Sequence, residues 1–103
     1  MSLPEHVEQE DRTPINKLVK AALVGGNTLS LFDGEEWTVK RTTTAKSFKT
    51  EMASTDSDTI LVRNSEGKQL GQFFIIFNDD GYPICDYTDN EYCNMIFNSL
   101  DID

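Results

Sequence analysis

The apolar positions of TPINKLVKAALVGG (residues 13–26) repeat with a helical period. Ile15, Leu18, Val19, Ala22 and Leu23 fall at i, i+3, i+4, i+7 and i+8 and so form one buried stripe. Thr13 reads as the N-cap, Pro14 as the first helical residue and Gly25-Gly26 as the stop. The period then changes to two. In TLSLFDGEEWTVK (28–40), Leu29 and Leu31 alternate with polar residues, as do Trp37 and Val39. A three-residue loop, Phe32-Asp33-Gly34, would pair Leu31 with Glu35 and Leu29 with Trp37 and set all four apolar residues on one face. TTTAKSFKTEMAST (42–55) returns to helical spacing, with Ala45, Phe48 and Met52 inward and Lys46 and Lys49 outward.

TILVR (59–63) and KQLGQFFIIFN (68–78) flank the turn NSEG, where Gly67 can take a positive φ, and so predict a second hairpin. Phe73 to Phe77 is apolar at both parities, which predicts a strand covered on both faces, at the centre of the sheet. Pro83 confines ICDYT (84–88) to a sheet edge or to the start of a strand. In DYTDNEY (86–92), Thr88 and Glu91 have the spacing of a capping box, Tyr87 and Tyr92 stand at the staple positions, and Asp89 falls in the first helical turn. Tyr92, Met95, Ile96 and Leu100 continue as one stripe. The order α-β-β-α-β-β-β-α predicts an α+β fold, an antiparallel sheet of about five strands with about three helices on it. Residues 1–12, MSLPEHVEQEDR, have no periodic apolar face and read as a flexible acidic tail, leaving residues 13–103 as a single α+β domain.

Charge narrows the function classes. With 18 acidic against 9 basic residues the net charge is -9, which repels a phosphate backbone and argues against direct nucleic-acid binding. The last basic residue is Lys68; after it come Asp79, Asp80, Asp86, Asp89, Glu91, Asp101 and Asp103. The longest apolar run is FFIIF, far below a membrane span, and two cysteines, Cys85 and Cys93, are too few for a disulfide-stapled secreted fold. Both features fit a cytoplasmic protein with free thiols.

Catalytic patterns are weak. An EF-hand loop with Gly81 at its sixth position would put Ile76 and Tyr87 at the anchoring positions, so that pattern fails; the competing readings of Asp79, Asp80 and Asp86 are a looser divalent-cation site and an ordinary Asp/Gly turn. Cys85, Cys93 and His6 share no zinc spacing, and the single histidine lies in the expected tail, away from any nucleophile. Asp86, a charge in an apolar strand segment, is the candidate for a carboxyl with a raised pKa; the competing reading is an outward side chain on an edge strand. Lys40, Arg41, Lys46 and Lys49 form the one local basic cluster and read as a solvated strand end and helix face. No catalytic residue, metal or cofactor is assigned.

The succession FDGEEWTVKR, STDSDTILV and GKQLGQFFIIFNDDGYPICDYTDNEY resembles small acidic proteins carried by bacteriophages and prophages, over about residues 28–92. The resemblance implies a phage or prophage accessory protein in the host cytoplasm. Its expected role is to bind and modulate a host or phage protein, including one with a basic nucleic-acid-binding patch, as a DNA mimic would. The expected binding surface is acidic: Asp33, Glu35, Glu36, Asp79, Asp80, Asp86, Asp89 and Glu91. The alternatives are a structural component or homodimer that pairs through an exposed sheet face, and a metal- or carboxylate-dependent enzyme.

Overall fold

The computed structural model describes residues 3–5, 7, 9–78 and 83–100. It contains α1 (Gln9–Leu23), β1 (Thr28–Phe32), β2 (Trp37–Thr42), α2 (Ala45–Glu51), β3 (Ser57–Arg63), β4 (Gln69–Ile76), β5 (Ile84–Tyr87) and α3 (Glu91–Ser99). The strands pair antiparallel in the order β2-β1-β3-β4-β5, giving the α+β architecture and element order that the hydrophobic periods predict.

Strand alternation sorts the sheet into two unlike faces. Leu31 pairs with Ile60 and Leu29 with Val62; Ile60 pairs with Phe73 and Asp58 with Ile75; Ile75 pairs with Ile84. These apolar residues all belong to the core, together with Ile15, Leu18, Val19 and Ala22 of α1, Phe48 of α2 and Cys93 and Ile96 of α3. All three helices therefore cover one face, and each fully buried Leu or Ile contributes about 1.5–3 kcal/mol of transfer free energy. The residues of opposite parity face away from the helices.

Four expectations are corrected by packing. First, α1 starts at Gln9 and not after Thr13, so Pro14 is inside the helix, and Leu3 and Val7 are buried in the core. Leu3, Val7 and Asp11 are thus packed inside where a solvated tail is expected. Arg12 fastens the segment, its Nη2 donating to the Pro4 carbonyl at 2.6 Å and its Nε to the Val7 carbonyl at 3.1 Å. Second, the first hairpin closes through residues 33–36: the Asp33 carboxylate accepts the N–H groups of Glu35 and Glu36, both at 2.9 Å. Phe32 then pairs with Trp37 and Leu31 with Val39, so Trp37 leaves the core face and lies against Phe32 with ring centroids 5.0 Å apart.

Third, β4 lies beside the edge strand and is covered on one face. Phe73 and Ile75 are fully buried, whereas Phe74 is 38% exposed. Fourth, Asn90 caps α3, accepting the Cys93 N–H at 2.8 Å. The Thr88 hydroxyl instead accepts the Gln72 N–H at 3.0 Å, and the capping-box geometry is lost because that oxygen is committed to the sheet.

Among the described residues three polar side chains are buried, Asp11, Ser30 and Asp58, and each accepts the backbone N–H of a non-glycine residue with positive φ. Asp11 Oδ2 accepts from Asn78 (2.7 Å), Ser30 Oγ from Arg41 (2.9 Å) and Asp58 Oδ2 from Ala53 (2.8 Å). Left-handed backbone costs an L-residue about 1–2 kcal/mol, and a hydrogen bond to a buried carboxylate or hydroxyl offsets a cost of that size.

Asp58 also carries a penalty of its own. Burial raises its pKa from 3.8 to about 6, against the Ala53 N–H, which lowers it, and its Oδ1 has no hydrogen-bond partner among the described residues. Because the folded-state value lies above the ordinary one, this group's stabilising contribution is complete below about pH 4 and is lost as pH rises through 6; the displacement amounts to about 3 kcal/mol. Asp58→Asn keeps an acceptor for Ala53 and cannot ionise. Urea unfolding of both proteins from pH 4.5 to 8 should show wild type losing about 2 kcal/mol relative to the variant, the rest of the displacement lying below pH 4.5. A pH-independent difference would remove Asp58 as a buried titrating group. Gly71 offers a second test, since a Cβ there would run into Cys93 Sγ at the contact of β4 with α3. Gly71→Ala should cost about 1–3 kcal/mol by overpacking, and the same substitution in a Cys93→Ala background should cost less, by urea unfolding of all four proteins.

Candidate protein-interaction surface

The uncovered sheet face is built by strand parity. One row across it runs Trp37, Phe32, Thr59, Phe74, Asp86, as fixed by the pairs Phe32–Trp37, Phe32–Thr59, Thr59–Phe74 and Phe74–Asp86. The next row contains Ser30, Leu61 and Gln72. Leu61 is 3% exposed and yet lies outside the helix-covered core, so its neighbours on this face enclose it. Trp37 is 40% and Phe74 38% exposed, two large rings offered to solvent from one sheet. Exposed aromatic residues grouped on a flat, rigid surface are the usual anchors of protein–protein contact.

The two ends of this face differ in charge. Near β2, Ser30, Trp37, Lys40, Arg41 and Arg63 line a concavity of about 150 Å³. Arg41 sits there in left-handed backbone, φ 52°, held by the Ser30 hydroxyl, which also accepts from Arg63 Nη1 at 3.4 Å. None of Lys40, Arg41 and Arg63 is in an ion pair among the described residues. Toward β5, a groove of about 320 Å³ is lined by Thr59, Gln72, Phe74, Asp86, Tyr87 and Thr88. The basic cluster expected from sequence is therefore regrouped. Lys40 and Arg41 keep company with Arg63 from β3, while Lys46 is on exposed α2 surface and Lys49 donates to Asn16 at 2.9 Å. Arg63 is invisible as a member of this set in sequence, because pairing of β1 with β3 brings it in.

The acidic residues singled out in sequence fall into three places. Asp33, Glu35 and Glu36 form the β1–β2 turn, at the end of the sheet where the loop before β3 also lies; Thr55 of that loop donates to the Asp33 carbonyl at 3.3 Å. The N–H groups of Glu36 and then Glu35 hold the Asp33 carboxyl below its ordinary pKa. Exposed Asp56, in the loop before β3, joins this end. Asp86 is exposed on edge strand β5, the outward reading, with Oδ1 accepting the Tyr87 N–H at 2.8 Å. Asp89 and Glu91 lie at the opposite end of the sheet, where α3 begins. Asp79 and Asp80 lie outside the described residues.

Three titratable groups among the described residues have pKa values raised by burial. Asp58, whose pKa rises to about 6, is 1% exposed in the core, and burial pushes the Cys93 thiol and the Tyr92 phenol up, which keeps both protonated. Among the described residues no three His, Cys, Asp or Glu side chains group as metal ligands, and no helix is long and apolar enough to cross a membrane. No protein-family model matches the chain, and comparison with the curated proteins and with the solved structures finds no match.

Proposed function

We propose that the protein is a non-enzymatic accessory protein that binds and modulates another protein through the acidic end of its sheet. The observation that carries this reading is the ordered turn of residues 33–36. Asp33 spends its carboxylate on two backbone N–H groups and so fixes the turn, while Glu35 and Glu36 stand exposed on it, beside exposed Asp56 of the neighbouring loop. Carboxylates on a rigid turn complement a basic surface without first having to be ordered, which favours fast encounter and register more than raw affinity. The resemblance to bacteriophage and prophage proteins supplies the setting: a host or phage partner with a basic patch, in the host cytoplasm. DNA mimicry is the special case in which that patch normally holds phosphates.

An enzyme is less well supported, because the carboxyl with a pKa in the range useful for proton transfer is sealed in the core. The test leaves Asp33 alone, since it holds the turn. Immobilised wild type and a Glu35→Gln, Glu36→Gln, Asp56→Asn variant are offered to host lysate at low and high salt. A specific partner should be retained by wild type, weakened by about tenfold or more in the variant, and released by salt. Equal capture by both proteins would move the binding surface elsewhere. Competition by duplex DNA would identify mimicry.

A further inference from the structure

The uncovered sheet face carries its own complement, and we propose that it is the interface of a symmetric homodimer in which Asp86 of each copy enters the basic concavity of the other. This goes beyond the acidic-end reading and uses a different surface.

Three cations, Lys40, Arg41 and Arg63, converge on Trp37 and buried Ser30, with no ion-pair partner among the described residues. In a chain of net charge -9 this is a local inversion of sign. The acidic group of the same face, Asp86, is on β5, four strand spacings from β2 and so about 19 Å away, too far to neutralise the cations within one copy. Its Oδ1 is held by the Tyr87 N–H, and its other oxygen has no partner among the described residues.

Two sheet faces that meet in a closed dimer are related by a two-fold axis lying in the plane between them. An axis running across the strands would set β2 over β2 and stack like charges. An axis along β3 exchanges the two sides of the sheet and sets β5 of one copy over β2 of the other, within the roughly 30° misalignment usual for stacked sheets. It also preserves position along the strands. Trp37 and Asp86 share a row, so the partner's Asp86 comes down beside Trp37, at the mouth of the cation-lined concavity. The groove beside Phe74 faces the partner's concavity, and the contact occurs twice by symmetry.

The exposed rings account for the rest of the fit. Trp37 and Phe74 lose water on both sides of the axis, with Thr59 and Leu61 of β3 at the centre. Five strands at ~4.8 Å and about six paired residues at ~3.3 Å give a face of roughly 500 Å² in projection, somewhat below the ~600 Å² per partner where stable interfaces begin. The expected dimer is accordingly concentration-dependent and weakened by salt.

Sedimentation velocity of the full chain across a wide concentration range, at low and high salt, reads the association state directly. Wild type should sediment as a dimer that dissociates on dilution. Asp86→Arg alone, and Lys40→Glu with Arg63→Glu, should each raise the dimer dissociation constant about tenfold or more. Mixing these two variants is the decisive arm. In the heterodimer, the introduced arginine meets the introduced glutamates at one contact and native Asp86 meets native cations at the other, so dimer should return to near the wild-type level. Two variants that had merely failed to fold would not restore each other. A wild type that stays monomeric at every concentration overturns the proposal. So do variants that dimerise like wild type, or a mixture that stays monomeric.

Discussion

Three buried polar side chains fix the shape of this protein. Asp11, Ser30 and Asp58 each accept the N–H of a residue held in left-handed backbone, and these are all the non-glycine residues with positive φ among those described. Each bond fastens one irregular point of the chain to a regular element. Asn78, just beyond β4, is tied to α1; the Arg41 kink in β2 is tied to β1; Ala53, at the exit of α2, is tied to β3. In a low-dielectric interior such bonds are strong, and losing one would leave both a strained residue and an orphaned donor. The elevated pKa of Asp58 is the visible penalty of placing a carboxyl there.

The same constraint shapes the surface. Without the Ser30 hydroxyl, the left-handed Arg41 would have no fixed N–H acceptor, and β2 could run straight, with its cations directed differently. With the bond in place, Arg41 and Arg63 share one hydroxyl and line one concavity beside Trp37. The register of the first hairpin does similar work. The Asp33 turn lengthens the loop to residues 33–36, and the shift carries Trp37 from the covered face to the uncovered one. A single aspartate thus presents two glutamates at one end of the sheet and frees an aromatic anchor at one side of it.

The two faces of the sheet differ in what they offer. The helices cover the core, and burial raises the pKa values of Asp58, Tyr92 and Cys93. The other face and the loop end keep exposed rings and charges on a rigid frame. Such a frame suits recognition, where preorganisation lowers the entropy lost on binding. The proposed acidic binding end and the proposed self-complementary face are compatible, since an axis along β3 leaves the acidic ends of both copies at the same end of the assembly.

The sequence by itself determined the secondary structure and its order. The stripe Ile15, Leu18, Val19, Ala22, the alternation around Leu29 and Leu31, and the Asn64–Gly67 turn each follow from local periodicity and turn chemistry, which act over a few residues. Tertiary structure decided which side of each element was used. FFIIF is apolar at both parities, and only the placement of all three helices on one side buried Phe73 and Ile75 and left Phe74 in water. Thr88 had the right spacing to cap α3, but pairing with Gln72 took its hydroxyl, and Asn90 capped instead. Leu3 and Val7 show no helical stripe, yet Arg12 and the core hold them. The grouping of Arg63 with Lys40 and Arg41, and the division of the acidic residues among three places, depend on strand order. Local sequence carries no information about strand order, because contacts between distant residues are set by the pairing of whole faces.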